Sequence, residues 1–199
     1  FNLWKEHLSK ANVPVDHPRN LAFVPAAPTR AAVMFDLVTS ASSIHGAYWM
    51  EGAGGIFCEN EAMKWIVSLT GLPEGAFGVF TSGGTAANLS AIVTAREHWR
   101  EDETYKREKG LIITSIGAHS SIKAMAKVAD VDILLVDSEE KLTGTALRET
   151  IDKLNFHQRK RLFAVVATGG TTNAGIIDDL EGVAQVCKKE NIWFHVDAA

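Results

Sequence analysis

The chain has 199 residues, 46% of them hydrophobic and 22% charged, which is enough apolar material for one sizeable core. A formal net charge of −4 argues against a polyanionic partner, so we expect no nucleic acid, and no apolar run reaches the roughly 18 residues that a membrane span needs. The two cysteines, Cys58 and Cys187, are too few for a disulfide framework and indicate reduced thiols in a cytoplasmic protein.

The first 57 residues are expected to be rich in loops, because four prolines lie between residues 14 and 28 and small residues fill 52–55. From Cys58 onwards, apolar residues recur every three or four positions, which predicts a helix that stops at Gly71 and Pro73. We therefore divide the chain into a loop-rich segment, 1–57, and a larger unit, 58–199.

Apolar strands alternate with amphipathic helices in the rest of the chain. Strands are predicted at 77–81, 111–115, 132–136, 162–167 and 192–197, and helices at 85–98, 119–129, 143–155 and 179–190. This alternation predicts an α/β fold with a mostly parallel sheet and helices on both faces. In such sheets ligands bind at the carboxyl ends of the strands, so residues that follow a strand are the candidates for a site.

A glycine-rich turn at 81–88 lies between a predicted strand and a predicted helix. Gly83 and Gly84 would let backbone N–H groups approach an anion, and Ser82 and Thr85 would add hydroxyl groups. The turn lacks the spacing of a dinucleotide-binding loop and the lysine of a nucleoside-triphosphate loop. It predicts a phosphate site, although an ordinary strand-to-helix turn would explain the same residues.

Two further turns follow predicted strands. His119 lies just after strand 111–115, where it would either cap a helix or stack on a planar ligand. The turn 167–175 holds three threonines and three glycines and would form either a polar wall of a site or a plain connection. Of the two acids that follow, Asp179 is expected to cap the next helix.

The last segment, 191–199, is predicted to be a buried strand with Asp197 near its tip. His195 and Asp197 are two residues apart, so they share a face of the sheet. A metal site would need a third ligand, and none is nearby in the sequence, so we expect no metal. A carboxylate in this position fits a protonated pyridine nitrogen better, and together with the phosphate turn and His119 it predicts a pyridoxal 5'-phosphate site.

The segments Ala118-His119-Ser120-Ser121 and 193–199, in this order after the glycine-rich turn, resemble the group II pyridoxal-phosphate-dependent amino acid decarboxylases of fold-type I. The resemblance implies the large domain of that fold. It also implies that the glycine-rich turn binds phosphate, that Asp197 binds the ring nitrogen, and that His119 and Ala199 lie on opposite ring faces. By this resemblance the cofactor-binding residues are Gly83, Gly84, Thr85, His119, Thr172, Asp197 and Ala199, of which His119 and Asp197 are catalytic.

The same resemblance implies an activity and a partner. The activity is decarboxylation of a small-molecule L-amino acid to its amine, and the partner is a second copy of the chain in a homodimer. Phe23, Pro25 and Ala26 would line the substrate pocket, close to the dimer interface. Another fold-type I enzyme, such as a carbon–carbon lyase or an aminotransferase, and a non-enzymatic α/β binding protein remain as alternatives.

The chain departs from the family pattern in two places. Ala86 stands where many relatives carry Glu, and none of the twelve lysines occupies the position of the family's Schiff-base lysine, which follows the segment at 193–199. Because the chain also lacks an initial Met and ends inside a predicted strand, we expect it to be an inactive fragment whose parent protein supplies that lysine.

Overall fold

The chain folds as two units, Phe1–Val79 and Phe80–Ala199. The computed structural model describes residues 1–136, 138 and 140–199. The roles that we assign to 1–57 and 58–199 stay predictions.

The first unit is more helical than its proline content suggests. It contains a π-helical turn, a 3₁₀ turn and two longer helices: Trp4–Leu8, Ser9–Ala11, α1 (Arg30–Ser42) and α2 (Trp49–Thr70). Helices replace the expected loops at α1 and at 49–57, because α2 begins at Trp49 rather than at the predicted Cys58. The prolines end at Pro28, and Thr29 then caps α1 by accepting the backbone N–H of Ala32 at 3.1 Å. No helix among the described residues has the length and apolar character to cross a bilayer.

A parallel sheet forms the centre of the second unit. Its strands are β1 (Leu111–Ser115), β2 (Asp132–Val136), β3 (Leu162–Thr168) and β4 (Trp193–Asp197), in the order β2-β1-β3-β4. The helices are α3 (Gly84–Trp99), α4 (Ser120–Val128), α5 (Gly144–Asp152), α6 (Phe156–Arg161) and α7 (Leu180–Glu190). The prediction is confirmed for these four strands and for α3, α4, α5 and α7, whereas the short α6 was not predicted.

Helices cover both faces of the sheet, as the uninterrupted apolar character of the strands predicts. On one face, Ile112 and Val166 pack with Ile92 of α3 and with residues of α4. On the other, Ile113 and Val165 pack with residues of α5 and α7. Neighbouring residues of one strand thus enter opposite cores, and the predicted α/β class with a mostly parallel sheet is confirmed.

The strand predicted at 77–81 is wrong, because these residues carry no regular secondary structure. Phe77 and Val79 are largely exposed, so their apolar character does not reflect a place in the core. A strand requires a neighbouring backbone that completes its hydrogen-bond ladder, and a short apolar run cannot guarantee one.

The two cysteines are expected to react very differently with a thiol reagent. Cys58 is exposed, whereas Cys187 lies in the core between α7 and the sheet, and burial raises the pKa of its thiol to about 11. The thiolate is the reactive form, so Cys187 should resist modification until the protein unfolds. Mass spectrometry after brief labelling, with Cys58→Ser as the control, measures this, and equal labelling of both residues would contradict it.

Candidate active site

The carboxyl ends of three neighbouring strands form one edge of the sheet. Thr168 at the end of β3 is in register with Asp197 at the end of β4, and the N–H of Gly169 donates to the carbonyl of Asp197 at 2.7 Å. β1 ends at Ser115 beside β3, and His119 follows it after a short turn. The structure therefore brings the predicted turn residues to the edge where parallel sheets bind ligands.

The start of α3 is built from the glycine-rich turn. Gly83 has φ of +151°, and no side chain among the described residues caps this helix, whereas α4, α5, α6 and α7 each begin with a side chain that accepts a backbone N–H. A Cβ atom on Gly84 would lie 2.7 Å from Cβ of Ala199, so only glycine fits there. The first turn of α3 therefore offers backbone donors, as a phosphate site requires, directly beside the end of β4.

Asp197 is a buried carboxylate, with 7% of its surface exposed. Its Oδ2 accepts a hydrogen bond from Nδ2 of Asn88 at 3.0 Å, and its Oδ1 accepts the N–H of Ala199 at 3.3 Å. Both donors are neutral. Since burying a carboxylate is costly unless a cation meets it, this arrangement favours a cationic ligand at Asp197.

His195 lies on the same face of β4 as Asp197, as predicted from their spacing. Its Nε2 is 2.7 Å from Oδ1 of Asn88. Burial lowers the pKa of His195, and the nearby Asp197 opposes this shift to a smaller extent. His195 is therefore a poor counter-ion for Asp197.

His119 caps α4, which confirms the helix-cap interpretation of this residue. Its Nδ1 accepts the backbone N–H of Ser121 at 3.2 Å and lies 2.9 Å from Oγ of the same residue. The exposed ring also borders a cleft of about 440 Å³ that Thr171 and Thr172 line from the opposite turn. The structure thus brings His119 and Thr172 together, while stacking of His119 on a ligand stays a prediction.

Asp178 fixes the turn that carries the threonines. The carboxylate is buried, and it accepts the N–H of Leu142 and the N–H of Thr168, both at 2.7 Å. Asp178 also donates its own N–H to the carbonyl of Thr168 at 3.0 Å. The next residue, Asp179, caps α7 as predicted, by accepting the N–H of Gly182 at 3.0 Å.

Comparison with known proteins identifies the family. Residues 6–199 match the family described as the pyridoxal-dependent decarboxylase conserved domain. The chain belongs to the pyridoxal-dependent decarboxylase family. This membership confirms the resemblance found in the sequence and the predicted class of cofactor.

Individual members of the family align with nearly the whole chain. An aromatic-L-amino-acid decarboxylase of Bacillus atrophaeus is 33% identical over 93% of this chain and 39% of its own length. An L-2,4-diaminobutyrate decarboxylase of Rhizobium meliloti (strain 1021) is 30% identical over 93% and 38%. The crystal structure of the glutamate decarboxylase domain of a diaminobutyrate-pyruvate transaminase and L-2,4-diaminobutyrate decarboxylase from Vibrio parahaemolyticus superimposes with a TM-score of 0.80, at 26% identity over 93% and 43%. The chain therefore spans about two fifths of the length of the relatives it matches.

The residues at the sheet edge fit pyridoxal phosphate, which has an anionic phosphate group, a basic ring nitrogen and two flat ring faces. The uncapped start of α3 suits the phosphate, and the buried carboxylate of Asp197 suits a protonated ring nitrogen. In addition, Oγ1 of Thr168 is buried and has no hydrogen-bond partner among the described residues. Such an orphaned hydroxyl is typical of a site that a ligand completes.

Three predicted site residues belong to the first unit, whereas the site described above is built from residues of the second unit. Phe23, Pro25 and Ala26 are exposed, and Phe23 has a φ of +68°. Their contribution to a substrate pocket in a pyridoxal-dependent decarboxylase stays a prediction.

Sequence reasoning missed Asn88 and assigned Asp178 too small a role. A signal for Asn88 was available, since it precedes Ile92 by one helical turn and so lies on the apolar face of α3. A polar side chain on such a face needs buried partners, and Asn88 finds them in the site.

Replacement of Gly84 by Ala is expected to weaken cofactor binding about tenfold in the whole protein, which corresponds to the loss of one charge-assisted hydrogen bond. The added Cβ would displace the first turn of α3 or Ala199, because 2.7 Å is far below a normal carbon–carbon contact. Titration with pyridoxal phosphate measures the effect, and the exposed neighbour variant Ala87→Ser serves as the control. An unchanged dissociation constant in Gly84→Ala would exclude this turn from the site.

Proposed function

We propose that the whole protein removes the α-carboxyl group of an L-amino acid as CO₂ and releases the amine, with pyridoxal phosphate as cofactor. The observation that carries this proposal is Asp197, a buried carboxylate held by neutral donors at a strand end, in a chain of this family. A protonated ring nitrogen is the cation that would complete this site.

Each part of the site has a role in holding the cofactor. Gly83, Gly84 and Thr85 bind the phosphate through the start of α3, and Asp197 binds the ring nitrogen. The remaining contacts would come from His119 and Ala199 on the two ring faces and from Thr172 near the ring. When bound, the cofactor supplies an electron sink for the electron pair of the broken bond.

The protein's own residues orient the cofactor and place a negative charge beside its ring nitrogen. Asp197 holds a proton at the ring nitrogen, because an adjacent carboxylate raises the pKa of a base. His119 borders the cleft that Thr172 also lines, so its ring would limit how the cofactor is oriented there. The cap geometry engages Nδ1 of His119 and leaves Nε2 as the atom that faces other partners.

The substrate is proposed only as an L-amino acid. Of the three relatives named above, one is named for aromatic amino acids and two for L-2,4-diaminobutyrate, and the side chains of these substrates have no chemistry in common. Phe23, Pro25 and Ala26 are proposed to contact the substrate side chain, and the whole protein is proposed to act as a homodimer.

The test uses the whole protein with added pyridoxal phosphate and a panel of aromatic, acidic and diamino L-amino acids. We expect a visible absorption band of the bound cofactor and equal amounts of CO₂ and amine from at least one substrate. A protein without the band would overturn the cofactor assignment. Formation of a keto acid without CO₂ would instead indicate an aminotransferase.

The 199-residue chain by itself is proposed to be inactive, because none of its lysines occupies the family's cofactor-binding position. The same assay on this chain alone should give no amine. Release of CO₂ that is lost in Asp197→Asn would contradict this and would assign the role to another lysine.

A further inference from the structure

One buried amide, that of Asn88, lies at the centre of the candidate site. Asn88 is 3% exposed and uses all of its side-chain hydrogen-bonding groups. Its Oδ1 is 2.7 Å from Nε2 of His195, while its Nδ2 donates to Oδ2 of Asp197 at 3.0 Å and to Oγ of Ser121 at 3.3 Å. A single side chain on α3 therefore connects α4 and β4.

The surroundings of Asn88 fix the orientation of its amide. The reverse orientation would place Oδ1 against the carboxylate of Asp197, where two acceptors repel each other. With Nδ2 facing Asp197, Oδ1 must accept a hydrogen from Nε2 of His195. The neutral form of His195 that satisfies this geometry carries its hydrogen on Nε2.

The same amide is connected to His119 through Ser121. Because Nδ2 of Asn88 donates to Oγ of Ser121, the hydroxyl hydrogen of Ser121 is free to point at Nδ1 of His119, 2.9 Å away. The backbone N–H of Ser121 points at the same nitrogen. Nδ1 of His119 is thus an acceptor, and its ring hydrogen sits on Nε2.

We propose that Asn88 is a positioning residue of the candidate site, which holds the carboxylate of Asp197 in one rotamer and holds His195 in its neutral Nε2–H form. Nδ2 of Asn88 donates to Oδ2 of Asp197, so Asn88 orients the carboxylate that a ring cation would meet. A neutral His195 cannot neutralise Asp197, and the carboxylate stays available to the ligand. The catalytic consequence rests on the proposed function, whereas the geometry does not.

The first test is the tautomer of His195 in the whole protein, measured by ¹⁵N NMR with labelled histidine and assigned by the signals lost in His195→Gln. We expect a neutral ring with its hydrogen on Nε2, with and without pyridoxal phosphate. A hydrogen on Nδ1, or a doubly protonated ring at neutral pH, would overturn the proposal. This test requires no substitution at Asn88.

The second test compares Asn88→Leu with Ile92→Ala, a change at a fully buried position one turn along the same helix. Both variants lose stability, but only Asn88→Leu removes the donor to Asp197. We expect its dissociation constant for pyridoxal phosphate to rise about tenfold, since hydrogen bonds to charged groups are the stronger ones. Excess cofactor should still bind through the phosphate contacts. The control variant should bind the cofactor like the unmodified protein.

The outcomes separate the two proposals. Unchanged cofactor binding and an unchanged visible band in Asn88→Leu would overturn the role of Asn88 while leaving the proposed function intact. If the unmodified protein binds no pyridoxal phosphate, the proposed function fails. The tautomer of His195 still tests the proposed hydrogen-bond arrangement around Asn88. Asn88→Ala, which adds no bulk, replaces Asn88→Leu if the latter does not fold.

Discussion

Asp197→Asn in the whole protein is expected to lower the decarboxylation rate by about three orders of magnitude or more, while much of the cofactor stays bound. The amide has no charge with which to hold a proton at the ring nitrogen, so the electron sink is weakened. A thousandfold loss corresponds to about 4 kcal/mol of transition-state stabilisation. The phosphate contacts at the start of α3 are separate from Asp197 and should retain the cofactor.

Single-turnover kinetics and the amount of bound cofactor measure this prediction together. Asp152→Asn, an exposed substitution at the end of α5, provides a control with the same change of charge. Near-normal turnover in Asp197→Asn would remove this residue from the mechanism. Complete loss of the cofactor would show that ring-nitrogen contact, rather than phosphate contact, dominates binding.

Asp178→Ala is expected to lower the free energy of unfolding by about 2–6 kcal/mol, because it leaves two backbone N–H groups without acceptors and each orphaned donor costs about 1–3 kcal/mol. These donors belong to Leu142 and Thr168, whose bonds to Asp178 are 2.7 Å long. The loss should also free the turn that carries Thr172. Chemical denaturation measures the stability, and hydrogen exchange at the two amides locates the change.

The neighbouring variant Asp179→Ala is the matched control for this prediction. It removes a helix cap, which typically contributes about 1 kcal/mol. Asp179 is less buried than Asp178, and its bonds to Gly182 and Gly144 are longer, at 3.0 and 3.2 Å. Equal destabilisation by the two substitutions would show that Asp178 is only another helix cap.

The fold followed from the sequence wherever local pattern and burial agree. β1 and β3 are buried along their whole length, so their apolar runs predicted them directly. The run at 77–81 is also largely apolar but forms no strand, because pairing depends on residues far away in the sequence. The prolines that indicate loops end at Pro28, so they carry no information about α1, which begins two residues later.

The part of the site that lies at the carboxyl ends of the parallel strands could be predicted from the sequence. Asp197 and His119 follow strands, so their place at one edge could be foreseen. Asn88 lies 109 residues before Asp197, and nothing local joins the two residues. The hydrogen-bond partners of a buried amide depend on how α3 packs on β4, which only the folded structure reveals.

The burial of Asp197 has a further consequence, for the stability of the protein. A buried charge that neutral groups satisfy only in part weakens the folded state, so this position trades stability for the binding of a cation. Any ligand that binds only the folded protein restores stability in proportion to its occupancy. The melting temperature should therefore rise with added pyridoxal phosphate, so thermal denaturation reports the occupancy of the site by the cofactor.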